Sequence, residues 1–249
     1  PVLGSVTSNG RFTEDVTAES ADRRVELHIP EDTIGKTKTG GRLSSIRIEE
    51  EEDPPDPPQH SHIIGNAYDF GPDGATFDPP ISLTFEYSES KIPEGVAEEN
   101  LVIGYWDEDA EEWVELAGTV DPEKNTVTAK ISHFTNFTIL ADVRPASFTA
   151  TDLRIEPDEI EIGETVIISA LITNTGALTG TCEVALKING AGVDVEEVEL
   201  IGGDDEKVSF SIAPQAAGTY TVDVNGLTGS FAVVAKGTSV TPPLATPLP

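Results

Sequence analysis

The sequence predicts an all-β protein of two consecutive β-sandwiches, the second immunoglobulin-like with about seven strands. Three observations carry that prediction. Apolar residues alternate at period two along the second half of the chain. Turn-forming residues cut the runs, with 22 glycines and 18 prolines among 249 residues. Helical periodicity never extends beyond about one turn, and residues 96–100 are its best candidate.

The second half gives the clearest strands. Val166, Ile168, Ala170 and Ile172 share one face of a strand. Cys182, Val184, Leu186 and Ile188 share the next, with Glu183 and Lys187 directed outward. Val208, Phe210 and Ile212 follow, then Tyr220, Val222 and Val224, then Phe231 and Val233. Such alternation means sheets with one buried face. Turns are expected at Asn174-Thr-Gly176, Asn189-Gly190, Gly202-Gly203-Asp204 and Asn225-Gly226. Asn-Gly suits a two-residue hairpin because both central residues need positive φ.

In the first half the expected strands are 25–29, 43–48, 81–87, 101–105, 113–116, 126–131 and 136–140. Glu49–Asp53 and Pro54-Pro-Asp-Pro-Pro58 fall between the second and third, where proline favours an extended, exposed loop. The expected boundaries are a sandwich with a companion β-module over 1–142, a linker over 143–147, a second sandwich over 148–235, and a Thr/Pro-rich stalk over 236–249.

Composition narrows the function. The 45 acidic residues against 15 basic give a formal charge of −30, of which −20 lies in residues 1–142 and −10 after them. That field repels phosphate backbones and argues against a nucleic-acid partner. Cys182 is the single cysteine, so an internal disulfide is impossible, and it reads as a small core residue. No run approaches the roughly 20 apolar residues of a membrane span, and membrane contact is expected only through an anchor outside this chain. The chain carries no methionine and no leader-like start, which reads as a piece of a longer, secreted or surface-anchored protein.

Residues Ile155-Glu-Pro-Asp-Glu-Ile-Glu-Ile-Gly-Glu-Thr-Val166, Ile172-Thr-Asn-Thr-Gly176, Leu186-Lys-Ile-Asn-Gly190 and Gly218-Thr-Tyr-Thr-Val-Asp-Val224 resemble the CARDB type of bacterial and archaeal surface module. The resemblance spans 148–234 and implies a non-enzymatic module for adhesion or spacing, with a protein or glycan partner. Val25-Glu-Leu-His-Ile-Pro30 together with the stretch from Tyr68 to Phe85 resembles the ZU-five sandwich of tight-junction scaffolds, ankyrins and netrin receptors. That resemblance covers about 10–87 and implies an interaction domain, with the remainder to Ala141 as a companion β-module.

The sharpest chemical candidate is Ser132-His-Phe-Thr-Asn-Phe-Thr-Ile-Leu140. It resembles the self-cleavage motif of adhesion-receptor proteolysis domains and certain death-domain scaffolds, and Trp106 and Trp113 upstream add to the likeness. The resemblance implies an N–O acyl shift in which the Thr135 hydroxyl attacks the Phe134 carbonyl with His133 as general base. Those domains carry cysteines around the motif, and this chain has none there. The plain reading, a last strand kept for packing, is preferred. For metals the candidates are His60 and His62, two apart as on one strand face, and Asp107 and Asp109 in Asp107-Glu-Asp-Ala-Glu-Glu112. The plain readings, a polar loop and a hairpin tip, are preferred here also. No cofactor is expected beyond surface Ca²⁺. An accessory role beside an extracellular hydrolase is the remaining alternative.

Overall fold

The computed structural model describes residues 1–236, and the expected stalk lies outside the described residues from 237 on. The chain divides into two units: residues 1–146 with 176–179, and residues 147–175 with those from 180 onward.

The first unit contains β1 (Val16–Glu19), β2 (Val25–Ile29), β3 (Ile34–Lys36), β4 (Arg47–Glu51), β5 (Ser61–Gly71) and β6 (Thr76–Glu86). After two single 3-10 turns come β7 (Val102–Asp107), β8 (Glu112–Leu116), β9 (Gly118–Asp121), β10 (Thr126–His133) and β11 (Asn136–Asp142). One sheet runs β1-β2-β6-β10-β9, with β3 also on β6, and the other runs β4-β5-β11-β7-β8. Strands from before and after Tyr87 share both sheets, so the expected companion module is part of one sandwich.

Alternation builds its core. Val25, Leu27 and Ile29 of β2 face Ile64, Tyr68 and Phe70 of β5 and Phe137 and Ile139 of β11 within one buried cluster. β11 is central and buried on both faces, because Leu140 joins Ala67 and Trp113 in a second cluster outside the sandwich. Gly104 of β7 makes room for it: a Cβ there would lie 2.5 Å from Leu140 Cδ1. Trp113 Nε1 donates to the carbonyl of Pro55 at 3.2 Å, which draws the proline segment onto this face. That segment was expected to be wholly exposed; Pro54, Pro55 and Pro57 are half-buried.

Two expected strands shift, and one long strand was not expected. The strand placed at 43–48 is Arg47–Glu51. Leu43 is a fully buried loop anchor, and the glutamates belong to an edge strand whose side chains reach solvent. The strand placed at 81–87 begins at Thr76 and passes through Pro79 and Pro80. They fall between the β3 ladder at 76–78 and the β10 ladder from Ile81, where no pairing requires their missing N–H groups. β5 was not anticipated. Gly65 sits in it at φ +79, beside the register shift between β5 and β11.

The second unit contains β12 (Phe148–Glu156), β13 (Glu159–Glu161), β14 (Val166–Asn174), β15 (Gly180–Ile188), β16 (Ala191–Leu200), β17 (Asp205–Ile212), β18 (Gly218–Val224) and β19 (Leu227–Val234). A β12-β14-β17 sheet packs on a β13-β19-β18-β15-β16 sheet, with β13 parallel to β19. This is the immunoglobulin-like arrangement. Every residue of the alternating β14 set is buried, as are Val184, Leu186, Val208, Phe210, Val222, Val224, Phe231 and Val233. Cys182 is half-buried against this core, and burial, then the charge of Glu183, pushes its thiol pKa up.

Asn189-Gly190 and Asn225-Gly226 both have positive φ at each residue, as a tight hairpin requires. Asn225 does more than turn. Its Oδ1 accepts the N–H of Ala185 at 3.0 Å, and its Nδ2 donates to the Glu183 carbonyl at 3.0 Å. The hairpin is thereby pinned to β15. Asn225→Ala should cost about 2 kcal/mol of urea stability, and Asn225→Gly, which keeps the conformational freedom, about half of that. Equal losses would mean that φ contributes nothing there.

Candidate functional site

Five of the seven sequence-selected residues, Asp107, Asp109, His133, Phe134 and Thr135, meet in one cleft of the first unit. β10 ends at His133 in one sheet, and β11 begins at Asn136 in the other. Phe134 and Thr135 therefore make the crossing from sheet to sheet. The Phe134 ring enters the core between Phe77, 4.7 Å away between centroids, and Phe70, 5.6 Å away. Its N–H donates to Ala75 O at 2.9 Å, and its carbonyl accepts the N–H of Gly74 at 3.1 Å. The Thr135 carbonyl accepts the N–H of Phe70 at 3.2 Å. The Thr135 hydroxyl, buried with its residue, donates to Trp106 O at 2.8 Å.

The cleft, about 350 Å³, lies over this crossing. Asp107, Glu108 and Asp109 line it with Trp106, and Lys38 and Asp73 line it from earlier in the chain. Asp107 closes the β7–β8 hairpin tip: its Oδ1 accepts the N–H groups of Asp109 at 2.9 Å and Ala110 at 3.1 Å. Lys38 Nζ meets Asp73 Oδ2 at 3.2 Å. The hydrogen bond to Asp73, its charge, and the charge of Glu108 hold the ammonium pKa above its ordinary value. The His133 ring stands edge-on to Tyr105 at 5.0 Å and tilted to Phe137 at 6.4 Å.

For an acyl shift, the arrangement supplies a backbone donor to the Phe134 carbonyl. It commits the Thr135 proton to a main-chain oxygen and the His133 ring to aromatic neighbours. A base must reach the nucleophile's proton directly or through one water, and here that proton is directed to Trp106 O instead. Lys38 and Asp73 were not selected from sequence, whereas Trp106 was noted there as an upstream aromatic and here its carbonyl accepts the Thr135 hydroxyl; the turn Gly71-Pro-Asp-Gly74 was the signal that Asp73 projects at a loop tip.

The histidine pair separates. His60 lies in the turn before β5 at φ +64, with its carbonyl accepting Val143 N–H at 2.7 Å. His62 lies within β5 opposite Ala141, and both side chains are exposed. The expected shared strand face is absent because only one of them is in the strand. Among the described residues, no group of three or more His, Cys, Asp or Glu is placed to hold a metal ion.

A second cleft, about 260 Å³, is lined by Arg24, Tyr68, Phe85, Tyr87 and Lys91. Tyr68 donates to Asp22 Oδ2 at 2.7 Å and Tyr87 to Glu98 Oε2 at 2.6 Å. Burial, then the carboxylate partner, raises both phenol pKa values. Burial opposes the charge on Asp22, but hydrogen bonds from Ser20, Tyr68 and the Arg24 N–H outweigh it and lower that pKa.

The CARDB family model matches residues 148–226, about a third of the chain and within the second unit. Three solved structures illustrate what the chain is similar to. A CARDB domain of a Pyrococcus furiosus protein, solved in complex with di-metal ions, is 18% identical over 36% of this chain and 93% of that one, with TM-score 0.31. A β-glucosidase of Erythrobacter marinus is 17% identical over 36% of this chain, with TM-score 0.34. A β-glucosidase of Thermotoga neapolitana is 24% identical over 35% of this chain, with TM-score 0.31. The match spans only 16% of either β-glucosidase. No curated protein matches the chain. Among the described residues no helix is long and apolar enough to cross a membrane.

If Thr135 is a tie between sheets, Thr135→Val should cost about 1–2 kcal/mol in denaturant unfolding of the first unit, and Thr135→Ser should restore most of it. Full stability in the valine variant would remove the hydroxyl from the structural account.

Proposed function

We propose that the chain is a non-enzymatic module of an extracellular or cell-surface protein, which spaces its neighbours and makes protein or glycan contacts. The CARDB match over 148–226 carries this reading. The charge of −30 supports it, since it favours solubility outside cells and opposes nucleic-acid partners. The likeness of residues 10–87 to ZU-five interaction domains fits the same work. In the first unit, the half-buried Tyr105 and Trp106 stand beside carboxylates in an open cleft, aromatic faces next to hydrogen-bond acceptors, as a sugar ring or a peptide requires. No cofactor takes part. The Phe134–Thr135 peptide is read as a structural crossing and stays intact.

Brief protease treatment of intact cells of the source organism tests the location. The account expects the chain to be released or trimmed while a cytosolic marker stays whole. Protection equal to that of the marker would contradict it.

A further inference from the structure

β16 is an unusual strand. It ends its sheet and pairs only with β15. It runs ten residues, Ala-Gly-Val-Asp-Val-Glu-Glu-Val-Glu-Leu, without a proline, lysine or arginine, and its first seven residues are all exposed. Alternation assigns Asp194, Glu196, Val198 and Leu200 to the core side, yet only Val198 and Leu200 are buried. The first part of the strand thus reaches beyond the core, open to water on both faces and along its free edge. Val193 and Val195, on the outer face, are 51% and 56% exposed, the two most exposed large apolar residues described. Unpaired N–H and C=O groups along an edge recruit other strands; a register shift between Leu186 and Lys187 leaves Val193 outside the ladder, and the regular edge runs from Asp194 to Leu200.

The free edge can be located by hydrogen bonds. Val195 pairs with Ala185, but the Ala185 N–H donates to Asn225 Oδ1 and the Val195 N–H to Asp194 Oδ1 at 2.9 Å. The two N–H groups therefore point away from each other, and that of Val195 points off the sheet. Glu197, opposite Glu183, repeats the same pairing type two residues on. Directly opposed like charges destabilise a ladder, and nothing basic on β16 relieves this pair. The outer face of the strand is a ledge with two valines at one end and Glu197 and Glu199 at the other.

We propose that β16 is a docking edge for an extended segment of another protein, which adds to the sheet as a sixth strand. Charge complementarity selects the occupant. Its outward residues are β-branched opposite Val193 and Val195 and lysine or arginine opposite Glu197 and Glu199. Main-chain bonds supply affinity and these alternate side chains supply specificity. A second copy of this chain does not suit the edge. Antiparallel self-pairing centred on Val195 would oppose Asp194 to Glu196 twice, between two chains of charge −30. In the unbound chain the Asp194 carboxylate covers the Val195 N–H, and it gives way to the incoming carbonyl.

The inference rests on the contact-module reading, and the two can fail separately: a chain exposed on cells with an inert β16 would keep that reading and lose this one. The probe is the synthetic peptide Thr-Lys-Thr-Lys-Thr-Val-Thr-Val-Thr, ordered for antiparallel addition, mixed with the full chain under amide hydrogen exchange. Exchange at Val195 and Glu197 should slow about tenfold, and a control peptide with glutamate for lysine should have no effect. Val195→Pro removes an N–H that makes no ladder bond to β15, together with the valine side chain, and should abolish the protection at Glu197. Glu197→Lys with Glu199→Lys leaves the backbone edge intact and should move the preference to the glutamate peptide. Three results would overturn the proposal: slowed exchange elsewhere but not at Val195 and Glu197, binding to Val195→Pro equal to the parent, or sedimentation showing a parent dimer that Val195→Pro dissolves.

Discussion

The first unit hangs on one buried crossing. The chain passes between the unit's two sheets at several points, and where β10 hands over to β11 the joint is a buried phenylalanine with a hydrogen-bonded threonine behind it. Phe134 fills the space between Phe77 of one sheet and Phe70 of the other. The N–H groups of Gly74 and Phe70 hold the carbonyls on either side of the joint, and Trp106 holds the Thr135 hydroxyl. A buried aromatic of this kind contributes several kcal/mol, more than any surface pair nearby. The same arrangement fixes what the cleft can do, because the residues that resemble a self-cleavage motif are the ones that bind the sheets together.

The second constraint is that β11 is buried on both faces. A sandwich of antiparallel sheets ordinarily leaves its outer faces wet. Here Leu140 and Trp113 form a small outer core, Gly104 opens the room for it, and the Pro54–Pro58 segment closes over it through the Trp113 N–H. The proline-rich stretch is therefore part of the structure of the sheet whose β7–β8 hairpin carries Asp107 and Asp109.

Legibility followed burial. β14, β15 and β18 were readable because one face of each packs into the core and their apolar residues recur every second position. β12 was not, although Phe148, Ala150, Leu153 and Ile155 all pack inward. The register shift between Thr151 and Arg154, with Asp152 at φ +52, moves the inward positions from even to odd numbers and hides the period. β5 was obscured by Gly65 and two histidines, and β16 because its valines face water. The crossing residues were selected from the local motif. Their neighbours Lys38 and Asp73 were not, since they come from loops that only the sheet pairing brings to the cleft.

Intact-mass spectrometry of the purified, denatured chain tests the central claim, that His133, Phe134 and Thr135 serve packing and leave the peptide whole. The account requires one species near 26.4 kDa. Two species split after Phe134, summing to the whole plus one water, would contradict it and make self-processing the function of the crossing.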